Sequence, residues 1–155
     1  MSLPPDLIEL LCALTAAGVR FLVVGGHAVS LHARPRSTKD LDLWLDAAPE
    51  NIARACDALL RFGVPEVLVA ELRCARSDEI VWLGRAPARV DLLQELPGAT
   101  FEESWLRRVT VDLPGGQATF IGVEDLLANK RAVARPQDLR DVRAIERRQR
   151  GPRAR

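Results

Sequence analysis

The sequence predicts a single α/β (α+β) domain, in which a mixed β-sheet carries helices packed mainly on one face. Segments with helical apolar spacing alternate with short apolar runs, and glycine or proline marks most of the boundaries between them. The chain has 155 residues, of which 48% are hydrophobic, and this is enough for one core of ordinary size. We therefore expect one domain over residues 1–148 and a basic, disordered tail over residues 149–155.

The first half of the chain is predicted to alternate helices with strands. Leucines at helical spacing follow Pro4-Pro5-Asp6, and Gly18 ends that pattern. A second helical pattern starts at Pro49 and ends at Gly63. In order, we predict a helix up to Gly18, a strand over 21–24, a helix over 27–32, a strand from Asp40, a helix from Pro49 to Gly63 and a strand over 64–70.

The second half of the chain is predicted to contain two hairpins. The first turns at Gly84-Arg85-Ala86-Pro87 and the second at Pro114-Gly115-Gly116, and β-compatible runs flank both turns. In order, we predict a hairpin over 79–93, a short helix around Phe101 and Trp105, a hairpin over 109–121 and two closing helices.

Two carboxylates stand at the start of the second predicted strand. Asp40 and Asp42 alternate there with apolar residues, and this alternation places both carboxylates on one face. Two ionised carboxylates so close repel each other unless a positive charge lies between them. Mg²⁺ can supply that charge, because it prefers hard oxygen ligands and is often bound by one or two carboxylates plus substrate phosphate. A solvated strand end is the purely structural alternative for this pair.

A glycine pair precedes these carboxylates. Gly25 and Gly26 lie between the apolar run 21–24 and the helix-compatible segment 27–32, so backbone N–H groups at a helix start can meet an anion there. A Gly-Gly turn between strand and helix is also common without any function. Beside a metal-binding carboxylate pair, however, a phosphate-binding turn is typical of phosphoryl or nucleotidyl transfer.

The run 25–42, with Arg36 and Thr38 between the glycines and the carboxylates, resembles the signature of the DNA polymerase beta-like nucleotidyltransferase superfamily. The closer similarity is to its small bacterial branch, which includes minimal nucleotidyltransferases and the abortive-infection type nucleotidyltransferase toxins. In that branch the run looks like Gly-Gly-x-Ala, then His-Gly, then Arg-x-Thr-x-Asp-x-Asp. Ala33 stands where close relatives often have Gly, and Gln137 stands where many have Lys; neither departure removes a metal ligand.

The resemblance implies a third carboxylate on a later strand, and Asp91 in the run Arg89-Val90-Asp91-Leu92-Leu93 is the best candidate. An unpartnered carboxylate inside such an apolar run would be costly, so a metal or another cation is expected beside it. Arg85 or Arg89 could satisfy it as an ordinary ion pair. The resemblance also suggests that Asp91 takes the proton from the attacking hydroxyl.

The resemblance continues in the closing helices, over residues 120–130 and 135–141. Lys130 matches a lysine that faces the nucleotide phosphates in those proteins, and the alternative is an exposed helix lysine. Asp138 is expected to cap and anchor the last helix rather than to touch substrate. His27 and His32 could polarise the substrate or could simply pack and cap.

Taken together, the resemblance implies an enzyme that moves a nucleoside monophosphate from a nucleoside triphosphate such as ATP to a hydroxyl group. Asp40, Asp42 and Asp91 are the implied catalytic residues and hold Mg²⁺, with two metals at the site. The residues implied to bind the nucleotide are Gly25, Gly26, Arg36, Thr38 and Lys130.

The acceptor hydroxyl is left open by the sequence. It could belong to a tRNA end or another RNA, to a protein side chain or to a small molecule, and a toxin–antitoxin setting suits the first two. Residues 140–155 hold seven arginines against two acids, which favours RNA slightly. The alternative to an enzyme is a non-catalytic, antitoxin-like module that keeps the nucleotidyltransferase fold and binds a partner.

Larger relatives carry an added helical domain that completes the substrate pocket, so we expect a homodimer or a partner toxin or antitoxin protein to complete it here.

Composition gives the remaining expectations. The net charge of +1 argues against wrapping of nucleic acid by bulk electrostatics. Three cysteines without metal-ligand spacing, no N-terminal signal and no long apolar run predict a cytoplasmic protein without membrane contact.

Overall fold

The structure is a computed structural model that describes residues 3–85 and 88–152. These residues form seven helices and six strands. The helices are α1 (Pro5–Ala16), α2 (Gly25–His32), α3 (Pro49–Phe62), α4 (Glu66–Cys74), α5 (Phe101–Leu106), α6 (Val123–Val133) and α7 (Pro136–Arg150). The strands are β1 (Phe21–Val24), β2 (Asp40–Leu45), β3 (Val81–Leu83), β4 (Arg89–Leu93), β5 (Val109–Leu113) and β6 (Gly116–Phe120).

The six strands form one mixed sheet in the order β3-β4-β2-β1-β6-β5. Strand β1 runs antiparallel to β2 and parallel to β6, whereas β2 runs parallel to β4. The outer pairs, β3 with β4 and β5 with β6, are the two predicted antiparallel hairpins. The predicted α/β class with a mixed sheet is confirmed, and β2 lies in the middle of the sheet between β1 and β4.

One face of β2 is apolar and is covered by helices. Leu41, Leu43 and Leu45 are each at most 1% exposed, and α1, α3 and α4 pack over this side of the sheet. Burial of one such side chain stabilises the fold by roughly 1.5–3 kcal/mol. A slip of one residue in the strand register would bury Asp40 and Asp42 in place of the leucines. The apolar core therefore fixes the direction in which these carboxylates point.

A second group of helices lies on the face of the sheet that carries the carboxylates, so the expectation of helices mainly on one face is wrong. Helix α2 begins directly after β1 and contacts both β1 and β2, and it also contacts α6 and α7, which pack against each other. Since β1 and β2 are antiparallel, the last residue of β1 lies beside the first residues of β2. The glycine pair at the start of α2 therefore meets the polar end of β2.

The predicted strand over residues 64–70 is wrong, because this segment opens helix α4. Its β-branched valines favour a strand by composition. In the structure Pro65 precedes the first helical residue, and the helix buries Val69 and Leu72 while Val67 remains 68% exposed. Packing of α4 against α3 has overridden the local preference for a strand.

The C-terminal helix is longer than expected. Helix α7 runs to Arg150, so residues 149 and 150 of the predicted tail are helical. Residues 153–155 of that tail lie outside the described residues. The three cysteines are free thiols, and none of the described helices is long and apolar enough to cross a membrane.

Candidate active site

Strand pairing brings the third predicted carboxylate next to the first two. Strands β2 and β4 are parallel neighbours, and Asp42 is the register partner of Asp91 while Asp40 is the partner of Arg89. Neighbouring strands lie about 4.8 Å apart, so the Cα atoms of Asp42 and Asp91 are separated by about 5 Å. Paired residues of parallel strands point to the same face, so all three aspartates share the face opposite the buried leucines.

The glycine pair fits against these carboxylates so closely that no side chain can replace it. Gly25 has φ +66°, and a Cβ atom on it would lie 2.1 Å from Asp42 Oδ2. A Cβ atom on Gly26 would lie 2.7 Å from Thr38 Oγ1 and 3.2 Å from Arg36 Nη2. Four of the residues predicted to bind nucleotide are therefore gathered around the start of α2, beside Asp42.

Charge crowding at this point changes the acidity of Asp42. Burial, and after it the repulsion from the carboxylates of Asp91 and Asp40, together raise its pKa to about 6. Lys130 and Arg89 act in the opposite direction but do not offset the burial and the repulsion. Without a further cation, the face therefore holds more negative charge than its own basic residues neutralise.

Asp91 has an arginine partner from its own strand. Arg89 Nε donates to Asp91 Oδ1 at 2.8 Å and Arg89 Nη2 donates to Oδ2 at 3.2 Å, which makes a bidentate ion pair. The guanidinium also lies over the ring of Trp82, with its carbon 5.1 Å from the ring centroid. Of the two arginines predicted as possible partners of Asp91, it is Arg89 that makes the pair.

The carboxylates suit a divalent cation, although they are not arranged around one here. Within residues 3–85 and 88–152, no three His, Cys, Asp or Glu side chains lie together in a way that could hold a metal ion. Arg89 donates hydrogen bonds to both oxygens of Asp91. The oxygen donors are nevertheless those that Mg²⁺ prefers, and the raised pKa of Asp42 reflects a repulsion that a dication would relieve. The three-carboxylate metal site stays a prediction, and it requires Arg89 to release Asp91.

Lys130 is neither an exposed lysine nor an isolated one. Its side chain is only 6% exposed, and Nζ lies 3.0 Å from Asp138 Oδ1 and 3.1 Å from Asp141 Oδ2. Arg36 Nη2 lies 3.3 Å from the same Asp141 oxygen. Two of the predicted nucleotide-binding cations are thus joined through one aspartate of α7. Their binding of nucleotide stays a prediction.

Asp138 caps α7, as the sequence predicted. It accepts the backbone N–H of Arg135 at 3.1 Å and completes a capping box at the first turn. Burial alone would raise its pKa, but hydrogen bonds from Arg135 and Lys130 outweigh burial and lower the pKa to about 2. The same aspartate thereby fixes the start of α7 and the position of the Lys130 amine.

Of the two histidines, His27 packs within the fold and His32 hydrogen-bonds to its backbone. His27 is buried, and burial together with the charge of Arg36 lowers its pKa, so its ring is held neutral. His32 Nε2 lies 2.7 Å from the backbone oxygen of Ile121, which ties α2 to the segment after β6. These contacts correspond to the packing and capping alternative.

Comparisons with known proteins identify the family of this chain. A family model described as a nucleotidyltransferase of unknown function (DUF6036) matches residues 6–149. The chain belongs to this family. Membership confirms the nucleotidyltransferase family that the run 25–42 indicated. No protein with a curated description matches the chain.

A solved structure shares the fold of this nucleotidyltransferase family member. It is the crystal structure of a candidate nucleotidyltransferase (TM1012) from Thermotoga maritima. The two chains are 14% identical, and the match covers 88% of each with a TM-score of 0.57. At this identity the similarity concerns the fold, so the assignment of site residues rests on the geometry described above.

The buried ion cluster around Lys130 gives a stability prediction. Replacing Lys130 by Met removes the cation that pairs with the buried carboxylates of Asp138 and Asp141. We therefore expect the free energy of unfolding to fall by about 3–5 kcal/mol. Lys39, the other lysine of the chain, is exposed. Urea unfolding of Lys130→Met and of the control Lys39→Met measures the difference, and equal small losses in both would contradict the cluster.

The raised pKa of Asp42 gives a pH-dependent prediction. Its folded pKa of about 6 lies above the ordinary aspartate value of 3.8, so ionisation of this carboxyl costs the folded protein stability as pH rises through that range. In metal-free buffer Asp42→Asn should therefore be more stable than the wild type at pH 7.5, by about 1–3 kcal/mol. The advantage should vanish below pH 4. Urea unfolding across this pH range tests it, and a variant less stable than wild type at pH 7.5 would refute it.

Proposed function

We propose that this protein is a Mg²⁺-dependent nucleotidyltransferase. It moves a nucleoside monophosphate from a nucleoside triphosphate to a hydroxyl group and releases pyrophosphate. The observation that carries the proposal is the register pairing of Asp42 with Asp91 on the face where Gly25 turns into α2. A phosphate-binding helix start and paired carboxylates are the two components that such a transfer needs.

Asp40, Asp42 and Asp91 would hold the metal. Bound Mg²⁺ would neutralise the crowded carboxylates and the phosphate oxygens and stabilise the charge that develops as the leaving pyrophosphate departs. For Asp91 to take part, Arg89 has to release it. The Arg89 side chain is 36% exposed, and ion pairs near solvent are individually weak. Breaking the Arg89–Asp91 pair therefore costs only a small free energy.

The start of α2 would hold the triphosphate. The amides that follow Gly25 and Gly26 lie at a helix N-terminus, where backbone N–H groups favour an anion. Arg36 and Thr38 lie within contact distance of Gly26 and would meet the same phosphates from the side. The absence of a side chain on either glycine is what lets a phosphate approach the backbone.

Lys130 would contribute positive charge from α6. The cluster of Arg36, Lys130 and Arg135 with Asp138 and Asp141 has three cations and two anions, so one positive charge is left over for a ligand. Lys130 already lowers the pKa of Asp42, which supports a position from which it acts on the site. Because its amine is held by Asp138 and Asp141, the position of its charge is fixed.

Asp91 would take the proton from the attacking hydroxyl. It lies on the far side of Asp42 from the glycine turn, so a hydroxyl next to it and a phosphate at the turn would approach each other across Asp42. A general base has to lie within hydrogen-bond reach of the hydroxyl and to be unprotonated at the working pH. The acceptor can be an RNA end, a protein side chain in a toxin–antitoxin pair or a small molecule.

A second candidate is a non-catalytic, antitoxin-like binding module. The bidentate Arg89–Asp91 pair favours it, because an arginine can replace a metal as the counter-charge of a carboxylate permanently. In that case any nucleotide binding would be independent of Mg²⁺, and no nucleotide would be transferred. The two experiments that follow separate the candidates.

Nucleotide binding should depend on the metal and on Asp42. Titration of the protein with ATP, CTP, GTP and UTP by calorimetry should show binding in Mg²⁺ that chelation abolishes. Asp42→Asn should weaken this binding at least tenfold, since it removes one charge of a proposed metal ligand. Asp57→Asn, a matched change on α3 that packs over the opposite face of the sheet, should bind as the wild type does. Equal affinities in all three proteins would remove the support for the metal site.

Transfer should be visible as a covalent label. Incubation with α-³²P-labelled triphosphates and Mg²⁺, in turn with total RNA, with cell protein and with a small-molecule extract, should label one fraction with the wild type and none with Asp42→Asn. A label in RNA identifies a nucleic-acid acceptor, and a label in one protein identifies a protein acceptor. Triphosphate binding without any label in either fraction or in a small-molecule extract would favour the binding module.

A further inference from the structure

An exposed tryptophan lies beside the proposed catalytic base. Trp82 is 58% exposed on the edge strand β3 and is the register partner of Asp91 on β4. Partners in an antiparallel pair point to the same face, so the indole stands on the carboxylate face of the sheet. More than half of this large ring is open to solvent, so a ligand on that face can reach it.

The position of Trp82 assigns it to one side of the site. The sheet order places β1 on one side of β2 and the pair β4 and β3 on the other. The glycine turn and the Lys130 cluster lie on the β1 side, where the triphosphate is proposed to bind. Trp82 lies two strands away from Asp42, about 10 Å at the Cα atoms. It therefore flanks the side on which the hydroxyl acceptor approaches Asp91.

The surroundings of Trp82 combine an aromatic face with positive charge. Arg89 stacks over the ring at 5.1 Å, and Arg85 lies in the turn of the same hairpin. Stacking rings interleaved with arginines are the means by which proteins hold single-stranded nucleic acid, since bases stack on the ring and the cations meet the phosphates. The Arg89 guanidinium is the group that must leave Asp91 when a metal binds, so it becomes available for an acceptor phosphate.

We infer that Trp82 is the stacking platform for the terminal base of a single-stranded nucleic-acid acceptor, with Arg89 contacting the adjacent phosphate. The inference rests on the proposed nucleotidyltransferase function and specifies its acceptor. A base on Trp82 places the terminal sugar hydroxyl next to Asp91, its register partner. A protein or small-molecule acceptor without an aromatic ring has no use for this platform.

The test compares two RNA oligonucleotides and two substitutions of Trp82. An eight-nucleotide fluorescein-labelled oligoadenylate RNA and the same RNA ending in an abasic ribose are titrated with protein in Mg²⁺ and followed by anisotropy. Wild type should bind the intact strand about tenfold more tightly than the abasic strand, the usual effect of stacking one base. Trp82→Ala should bind both strands equally, at the affinity of wild type for the abasic strand. Trp82→Phe should keep most of the preference.

Controls keep the result interpretable. Val67→Ala removes a 68% exposed apolar side chain from α4, which packs over the opposite face of the sheet, and should leave the tenfold preference intact. Circular dichroism establishes that each variant is folded. We expect the Trp82 variants to fold, because this side chain is exposed on an edge strand. The inference is overturned if Trp82→Ala keeps the preference for the intact strand, if neither strand binds wild type, or if Trp82→Ala instead weakens triphosphate binding.

Failure of this inference can be told apart from failure of the proposed function. Mg²⁺-dependent triphosphate binding that Asp42→Asn weakens, combined with an unaltered strand preference in Trp82→Ala, would leave the enzyme standing and remove only the nucleic-acid platform. Triphosphate binding that depends neither on Mg²⁺ nor on Asp42 would contradict the proposed function itself, whichever RNA the protein prefers.

Discussion

The parallel pairing of β2 with β4 is the constraint on which the rest of the site depends. It places the carboxylates of Asp42 and Asp91 on one face, with Cα atoms about 5 Å apart. The buried leucines on the other face of β2 hold this register, because any slip would exchange apolar and acidic side chains. Repulsion between the paired acids follows directly and contributes to the raised pKa of Asp42.

The protein meets this excess of negative charge with two different groups of cations. Arg89 pairs with Asp91 from within the sheet, while Lys130 acts on Asp42 from a buried cluster tied to α7. The Arg89 side chain is partly exposed, whereas the Lys130 amine is buried and held by two carboxylates. Under the proposed function, Arg89 gives up Asp91 to the metal, while Lys130 keeps its place near the phosphates.

The sequence allowed much of this to be predicted, and the misses have physical reasons. The glycine pair and the alternation at Asp40 and Asp42 are local patterns, so they predicted the turn and the shared face correctly. The burial of Lys130 could not be predicted, because its partner Asp141 comes from a separate helix. The Asp138-x-x-Asp141 spacing signalled an anchored helix, but not that the second aspartate would hold Lys130 and Arg36 together. Choosing Arg89 over Arg85 as the partner of Asp91 likewise needed the strand geometry.

The most direct test of the account is a crystal structure of the protein with Mn²⁺ and a non-hydrolysable nucleoside triphosphate, with the metal located by its anomalous scattering. The account predicts a Mn²⁺ peak between the side chains of Asp42 and Asp91, with the triphosphate at the start of α2 and Arg89 no longer bonded to Asp91. A structure with nucleotide bound, no metal between these two aspartates and the Arg89–Asp91 pair intact would contradict it.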